Sequence, residues 1–281
     1  MRILVTNDDG IDSPGIHELA RTIESAGHEV VVVAPDHDAS GTATALGRIS
    51  SELPVKVSQE RIAGFKGEAY AIAGPPALCV IATHLEAFGP IPDMVISGIN
   101  AGLNTGRSTL HSGTVGAVLT AQNFGLRGIA VSLDSSDDWQ WQAAAALTLQ
   151  VLPSVMNGPP RGAVNLNVPA LPLEQIKGIR WAGLAAFNSV RSSVSAVEDG
   201  FIHFELINTD YEPEETTDLA TVRAGFAALT ALHGNVEVWG PASLAGDLFE
   251  AGHEIHGASV GHTLRPANSV LIPDQGLHSR R

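Results

Sequence analysis

Short apolar runs that alternate with helical segments constrain the fold of this chain more than any other feature. Residues 2–6 (RILVT) and 29–34 (EVVVVA) are continuous apolar runs of strand length, as expected where both faces of a sheet are covered. Between them, Pro14 suits the first position of a helix and Gly27 its end, with apolar residues at helical spacing between the two. This strand–helix–strand unit predicts a parallel sheet.

The same alternation continues over residues 1–170. It predicts strands at 93–97, 128–133 and 163–168, an edge strand at 53–58, and helices at about 76–88, 114–124 and 138–152. We therefore predict a doubly wound, mostly parallel α/β sheet, in which ligands bind at the carboxyl ends of the strands. After residue 169 the pattern changes to strand-like segments at 178–184, 200–208 and 235–239, with a helix at about 217–224.

Composition argues against several classes of protein. No apolar run reaches the roughly 18 residues of a transmembrane helix, and the first residues enter a strand rather than a signal-peptide pattern. The single cysteine, Cys79, argues against a disulfide framework, so we expect a cytoplasmic protein. The net charge is −14, and the only basic cluster is Arg280 with Arg281. We therefore expect neither a nucleic acid polymer nor a membrane as a partner.

Two adjacent carboxylates, Asp8 and Asp9, directly follow the first strand. They repel each other, and burial in a cleft would add a desolvation cost, so a positive group is expected beside them. Loops after other strands supply the neutral oxygen donors Ser40 and Asn100 at the same edge of the predicted sheet. This hard-oxygen set predicts one divalent metal ion, Mg²⁺ or Mn²⁺ or alternatively Ca²⁺, bound by Asp8, Asp9, Ser40 and Asn100.

Residues 111–116 (HSGTVG) form a candidate anion-binding segment. Ser112, Gly113 and Thr114 are small and precede a predicted helix, so backbone amides and the positive end of the helix can approach an anion. A metal on one side and these amides on the other suit a phosphate ester attacked by a metal-activated water. The alternative interpretation is that the same residues only cap the helix.

Several short motifs occur in an order that resembles one protein family. They are 6–11 (TNDDGI), 14–16 (PGI), 33–36 (VAPD), 40–41 (SG), 97–100 (SGIN), 112–117 (SGTVGA), 165–169 (NLNVP) and 217–218 (TD). This ordered set is similar to the SurE family, the stationary-phase survival proteins that act as divalent-metal-dependent 5′/3′-nucleotidases. The resemblance is continuous over residues 1–170 and patchy beyond them.

The resemblance implies roles for individual residues. Asp8, Asp9, Ser40 and Asn100 match the metal-binding residues of the family. Asn7 and the segment 112–114 match positions close to the phosphate, so Asp8, Asp9 and Asn7 are the candidate catalytic residues. The implied reaction is hydrolysis of nucleoside 5′- or 3′-monophosphates to nucleoside and phosphate.

The resemblance also implies an architecture. It predicts a single domain over residues 1–281, with a Rossmann-like core at 1–170 and a C-terminal part at 171–281. A projecting β-hairpin is expected at about 187–210, within a part that also carries oligomerisation elements. The implied assembly is a homodimer or a homotetramer.

Two segments depart from the family pattern. Residues 183–212 contain no clear counterpart of the Arg- and Tyr-containing segment that family members often carry. The family usually has an acidic residue in the loop that reads GRSTL at 106–110 here, and a tyrosine where this chain has His111. These changes fall where the leaving group of the substrate should lie, which makes Asn104, Arg107 and His111 candidate substrate contacts. A phosphatase dedicated to another phosphorylated metabolite is therefore an alternative to a nucleotidase.

Other classes of protein explain the sequence less well. A receiver-type signalling module also pairs carboxylates after its first strand, but it needs an aspartate after the third parallel strand, where this chain has Ser97. A haloacid-dehalogenase-type phosphatase needs an Asp-x-Asp motif, and Asp8 and Asp9 are adjacent. A module that binds metal and phosphate for signalling without catalysis remains the alternative from a different class.

Overall fold

A computed structural model describes residues 1–187, 190–198, 200–208 and 210–235 of the chain. The strands are β1 (Arg2–Thr6), β2 (Glu29–Pro35), β3 (Val57–Glu60), β4 (Glu68–Ile72), β5 (Met94–Ala101), β6 (Arg127–Leu133), β7 (Ala163–Val168), β8 (Ile179–Trp181), β9 (Val190–Glu198), β10 (Phe201–Asn208) and β11 (Ala227–Leu232). The α-helices are α1 (Pro14–Ser25), α2 (Pro76–His84), α3 (Gly113–Asn123), α4 (Trp141–Asn157) and α5 (Asp218–Arg223), and 3-10 turns lie at Gly106–His111 and Leu173–Gln175.

Nine strands form one mixed sheet in the order β3-β4-β2-β1-β5-β6-β7-β11-β8. The six strands from β4 to β7 in this order are mutually parallel, whereas β3 and β11 pair antiparallel with their neighbours β4 and β7. The chain passes from β1 to β2 on one side and later returns to β5 on the other side of β1. The carboxyl ends of β1 and β5 therefore form the topological switch point of the sheet, where α/β proteins bind ligands.

The sheet is covered on both faces, as its continuous apolar strands predict. In β1, Ile3 and Val5 join the core that includes residues of α1 and α4, while Leu4 joins the core that includes residues of α2 and α3. All three side chains are fully buried. The predicted doubly wound α/β fold is confirmed.

Two strands were not expected from the sequence. β4 reads EAYAI and β11 reads AALTAL, and both are rich in alanine, which is depleted in strands. β4 pairs with β2 in the parallel sheet, and β11 lies between β7 and β8. Pairing with existing strands therefore outweighs the weak local preference of these segments.

Some predicted boundaries also differ from the structure. The edge strand is Val57–Glu60 rather than 53–58, because its pairing is set by β4. α2 ends at His84, and α4 continues past Pro153 to Asn157, with Val155 buried in the core. The strand-like segment 235–239 lies outside the described residues, apart from its first position.

The predicted hairpin is present as a two-stranded antiparallel sheet of β9 and β10. Its exposed apolar residues include Val197 and Phe204, which are 72% and 68% exposed. The division of the chain into a core and a C-terminal part with oligomerisation elements stays a prediction. No helix of the described ranges is both long and apolar enough to span a membrane.

Candidate functional site

The candidate site lies at the switch point between β1 and β5. Asp8 and Asp9 follow β1 directly, and Asn100 lies in the last residues of β5. The pairing of β5 with β6 shifts register between Ser97 and Asn100, so the end of β5 departs from a regular strand just before the candidate ligand. The structure therefore places these three predicted metal ligands at one edge of the sheet.

Asp8 lies against the N-terminus of α3. The Thr114 hydroxyl donates a hydrogen bond to Asp8 Oδ1 at 2.5 Å. A Cβ atom added to Gly113 would lie 2.8 Å from Asp8 Oδ2, so a larger residue at position 113 would collide with the carboxylate. The close approach of α3 to Asp8 therefore depends on a glycine at position 113. This approach brings the positive end of the helix to the carboxylate of Asp8.

Thr114 also connects Asp8 with Asn100. Its Oγ1 lies 3.2 Å from Asn100 Oδ1, while Asn100 Nδ2 donates to the carbonyl of Gly102 at 2.7 Å. That second bond orients the amide group so that its oxygen faces Thr114, which also contacts Asp8. Asp9 joins the same edge, where its Oδ2 accepts a weak hydrogen bond from the amide of Ala101 at 3.4 Å.

Burial of this pair shifts the titration of both carboxyl groups. Desolvation raises the pKa of Asp8, although the Thr114 hydroxyl and the backbone amides of Thr114 and Gly113 favour its charged form. Desolvation, and then the charge of Asp8, raise the pKa of Asp9 to about 6. None of the ion pairs in the described part of the chain includes either aspartate. Among the residues that the structure describes, the pair therefore has no cationic side chain as a partner.

The donor set fits a hard divalent cation. Within the described ranges, no cluster of three or more His, Cys, Asp or Glu side chains could hold a metal ion, so a thiolate or imidazole site is not present there. The site instead offers two carboxylates and one amide oxygen, and oxygen ligands of this kind suit Mg²⁺, Mn²⁺ or Ca²⁺. A cation at this point would supply the positive charge that the described side chains do not.

Ser40 lies beside this site, in the loop after β2. The neighbouring residue Ala39 donates its amide to the carbonyl of Asp8 at 2.7 Å, which joins the loop to the end of β1. Ser40 itself is exposed, and its amide donates to Asp38 Oδ1 at 2.9 Å. Ser40 is therefore next in the chain to Ala39, which contacts Asp8. The hydrogen bond of Ser40 itself goes to Asp38. Its role as a metal ligand stays a prediction.

Asn7 is fully buried and stabilises the turn between β1 and α1. Its Nδ2 donates to the carbonyl of Gly10 at 2.9 Å and to Ser13 Oγ at 2.7 Å, so both amide hydrogens are used. Its Oδ1 is buried and has no hydrogen-bond partner within the described ranges. Asn7 therefore has a structural role here, and its predicted contact with phosphate stays a prediction.

The segment 112–114 caps the N-terminus of α3, which is one of the two roles that the sequence predicts for it. Ser112 Oγ accepts a hydrogen bond from the amide of Val115 at 3.2 Å, and Ser112 is the N-cap of α3. The amides of Gly113 and Thr114 favour the charged form of Asp8. Capping does not exclude anion binding, since both use the same end of the helix.

The candidate substrate contacts lie on the segment that joins β5 to α3. Arg107 and His111 are exposed and belong to the 3-10 turn Gly106–His111. Asn104 is partly buried, and its Nδ2 donates to Ser132 Oγ at 2.9 Å. Arg107 and His111 therefore present their side chains at the surface, whereas the amide hydrogens of Asn104 face the protein.

The sequence alone assigns no role to Asn165 and Asn167 beyond their place in a motif. Both are fully buried in β7, and both donate side-chain hydrogen bonds to the carbonyl of Asn104, at 2.7 and 3.0 Å. The available signal was two asparagines in a strand that is otherwise apolar. Buried polar side chains of this kind are usually satisfied by a specific partner.

Taken together, fold and site define a doubly wound α/β protein with an acidic, oxygen-rich site at the switch point of its sheet. The family model described as "Survival protein SurE" matches residues 3–190. The chain belongs to the SurE family.

Curated relatives and a solved structure are similar over most of the chain. The 5′-nucleotidase SurE of Desulfitobacterium hafniense is 35% identical, over 84% of this chain and 92% of its own. That of Aeromonas hydrophila is 36% identical, over 88% and 96%. The 5′/3′-nucleotidase SurE of Erwinia tasmaniensis is 36% identical, over 83% and 90%. The crystal structure of the SurE protein from Aquifex aeolicus has 32% identity and a TM-score of 0.69, over 84% of this chain and 95% of that one. The names of the three curated relatives describe phosphoric monoester hydrolases.

Proposed function

We propose that this protein is a divalent-metal-dependent phosphatase that hydrolyses nucleoside 5′- and 3′-monophosphates to nucleoside and phosphate. The observation that carries the proposal is the convergence of Asp8, Asp9 and Asn100 at the switch point, without a cationic partner among the described side chains. The names of the relatives from Desulfitobacterium hafniense and Erwinia tasmaniensis support the nucleotide as substrate.

Asp8, Asp9 and Asn100 would hold the metal ion, with Ser40 as the proposed fourth ligand. When bound, a divalent cation supplies Lewis acidity toward a phosphoryl oxygen and lowers the pKa of a coordinated water. The family and its named nucleotidases support a metal requirement, and the oxygen donor set supports Mg²⁺ or Mn²⁺.

The two aspartates have different tasks in this proposal. Asp8 is only 3% exposed, and the Thr114 hydroxyl together with the N-terminus of α3 stabilises its negative charge. Asp9 is less buried, and in the described part of the chain it accepts a hydrogen bond only from Ala101, at 3.4 Å. Asp9 is therefore the better placed of the two to accept a proton from the attacking water.

The N-terminus of α3 would stabilise the charge on the phosphoryl group. Gly113 and Thr114 present backbone amides beside the carboxylates, and an anion at a helix N-terminus is stabilised by these amides and by the helix dipole. Arg107 and His111, which are exposed on the preceding turn, would meet the leaving group.

A substrate panel tests this function. Purified protein should hydrolyse para-nitrophenyl phosphate and nucleoside monophosphates with Mg²⁺ or Mn²⁺, and EDTA should abolish the reaction. Asp12→Asn, at an exposed carboxylate near the site, is a matched control for Asp9→Asn and should keep wild-type activity. Absence of hydrolysis with every ester and metal would refute the proposal. A preference for a phosphorylated metabolite other than a nucleotide would support the alternative substrate.

We also propose that the protein self-associates through the hairpin of β9 and β10. Val194, Val197, Phe201, Ile202 and Phe204 are all more than half exposed on this hairpin. An exposed apolar surface of this kind is typical of a contact between proteins. A homodimer or a homotetramer would cover it.

A further inference from the structure

Asp218 is a buried carboxylate outside the metal site that accepts hydrogen bonds from three backbone amides. It is fully buried at the first position of α5. Its Oδ2 accepts from the amide of Gly106 at 2.8 Å, and its Oδ1 accepts from the amides of Ala185 at 3.0 Å and Leu219 at 2.8 Å. One side chain thus joins three segments that are distant in sequence.

Two of these segments are the turn that carries the candidate substrate contacts and the chain that leads into the hairpin. Gly106 begins the 3-10 turn with Arg107 and His111, and Ala185 precedes β9. The two segments also touch directly, because a Cβ atom added to Gly106 would lie 2.8 Å from the carbonyl oxygen of Ala185. Gly106 has a φ of 61°, a conformation that favours glycine.

The turn is fixed at its other end by the metal site itself. His111 is followed by Ser112, the N-cap of α3, and α3 contacts Asp8 through Gly113 and Thr114. The position of Arg107 and His111 relative to the carboxylates is therefore set by α3 on one side and, on the other, by Asp218 together with the bonds that hold the Asn104 carbonyl. The carboxylate of Asp218 is buried and accepts three hydrogen bonds from backbone amides, so it holds the start of the turn in one specific position.

We propose that Asp218 is a positioning residue for the leaving group of the substrate. It keeps the 106–111 turn at a fixed place beside the metal site and joins it to the segment at Ala185, which precedes β9 in the chain. This inference rests on the proposed phosphatase function, and it concerns the leaving group rather than the metal.

Asp218→Asn tests the role with little change in volume. Both carboxylate oxygens of Asp218 accept hydrogen bonds, whereas asparagine has only one acceptor oxygen. The NH₂ group of asparagine would face a backbone N–H, and because both groups donate, at least one of the three hydrogen bonds is lost. Gly106→Ala disturbs the contact between Gly106 and Ala185 and leaves Asp218 in place. This variant tests the positioning role if Asp218→Asn fails to fold. Glu215→Gln, at an exposed carboxylate three residues before Asp218, is the matched control.

Two measurements on the full chain give the answer. In hydrogen–deuterium exchange, the peptides that cover 104–111 should exchange faster in Asp218→Asn and Gly106→Ala than in the wild type and Glu215→Gln. In kinetics, KM for a nucleoside monophosphate should rise about tenfold in both variants, because a small displacement of a positioning segment weakens substrate contacts. The affinity for Mn²⁺ alone should stay within about twofold of the wild type, since the metal ligands are untouched.

Unchanged exchange at 104–111, or an unchanged KM in a variant that exchanges faster, would overturn the positioning role. A loss of Mn²⁺ affinity in proportion to the loss of activity would also overturn it, since the effect would then act through the metal. A wild type that hydrolyses no phosphate ester would refute the proposed function, and the exchange experiment would then still decide whether Asp218 fixes the turn.

Discussion

At the scale of single residues, the buried carboxylates of the site lower the stability of the folded protein, and the same carboxylates are the proposed ligands of the metal ion. Asp9 is adjacent to Asp8 and partly buried, and its pKa is raised to about 6 by burial first and by the charge of Asp8 second. A raised folded-state pKa means that the folded protein binds this proton more tightly than the unfolded chain. The contribution of Asp9 to stability is therefore most favourable below its unfolded pKa and is lost as the pH rises through about 6.

Asp9→Asn should stabilise the metal-free protein at pH 7.5 and have little effect at pH 4. The expected gain at pH 7.5 is about 1–3 kcal/mol, because the variant removes a charge that the folded protein holds at a cost. Calorimetric unfolding in EDTA measures it, and Asp12→Asn serves as the exposed control. An equal effect of Asp9→Asn at the two pH values would contradict this explanation.

Thr114 is the residue that joins two candidate ligands. Thr114→Val removes the hydroxyl that donates to Asp8 and leaves the shape of the side chain nearly unchanged. We expect a fall of about tenfold or more in kcat/KM, as for loss of a hydrogen bond to a charged group. Thr114→Ser keeps the hydroxyl and should retain most of the activity, so equal losses in the valine and serine variants would count against the hydrogen bond as the cause.

At the scale of secondary-structure elements, the local pattern of the sequence predicted the elements that hold the site. β1, β5 and α3 were all expected, because two are continuous apolar strands and the third begins after a capping serine. β4 and β11 were missed because their alanine-rich sequences carry no strand signal, and only pairing with distant strands defines them.

The hairpin carries the exposed apolar residues on which the proposed self-association depends. Phe204→Ser should reduce the mass of the assembly in solution, because Phe204 is 68% exposed and its apolar surface favours association. Light scattering after size-exclusion chromatography measures the change. Glu205→Gln, at the adjacent position of β10, should keep the wild-type mass. If Phe204→Ser also kept it, the hairpin would not be the site of association.

At the scale of the whole molecule, the order of strands explains why residues distant in sequence form one site. The chain leaves β1 in one direction and returns to β5 in the other, which brings Asp8 and Asn100 to the same crevice. The sequence predicted that crevice and its carboxylates. It did not predict that Asn7 would use both amide hydrogens within its own turn, or that Asp218 would join the 106–111 turn to the segment at Ala185. The hydrogen bonds of Asp218 depend on tertiary positions that no local pattern contains, whereas those of Asn7 stay within six residues of it.

The central claim is that a divalent cation binds between the ends of β1 and β5. A crystal soaked in Mn²⁺ and measured for anomalous scattering tests it most directly. We expect one anomalous peak within bonding distance of oxygen atoms of Asp8, Asp9 and Asn100. The absence of a peak at this edge of the sheet, with the three side chains pointing apart, would contradict it.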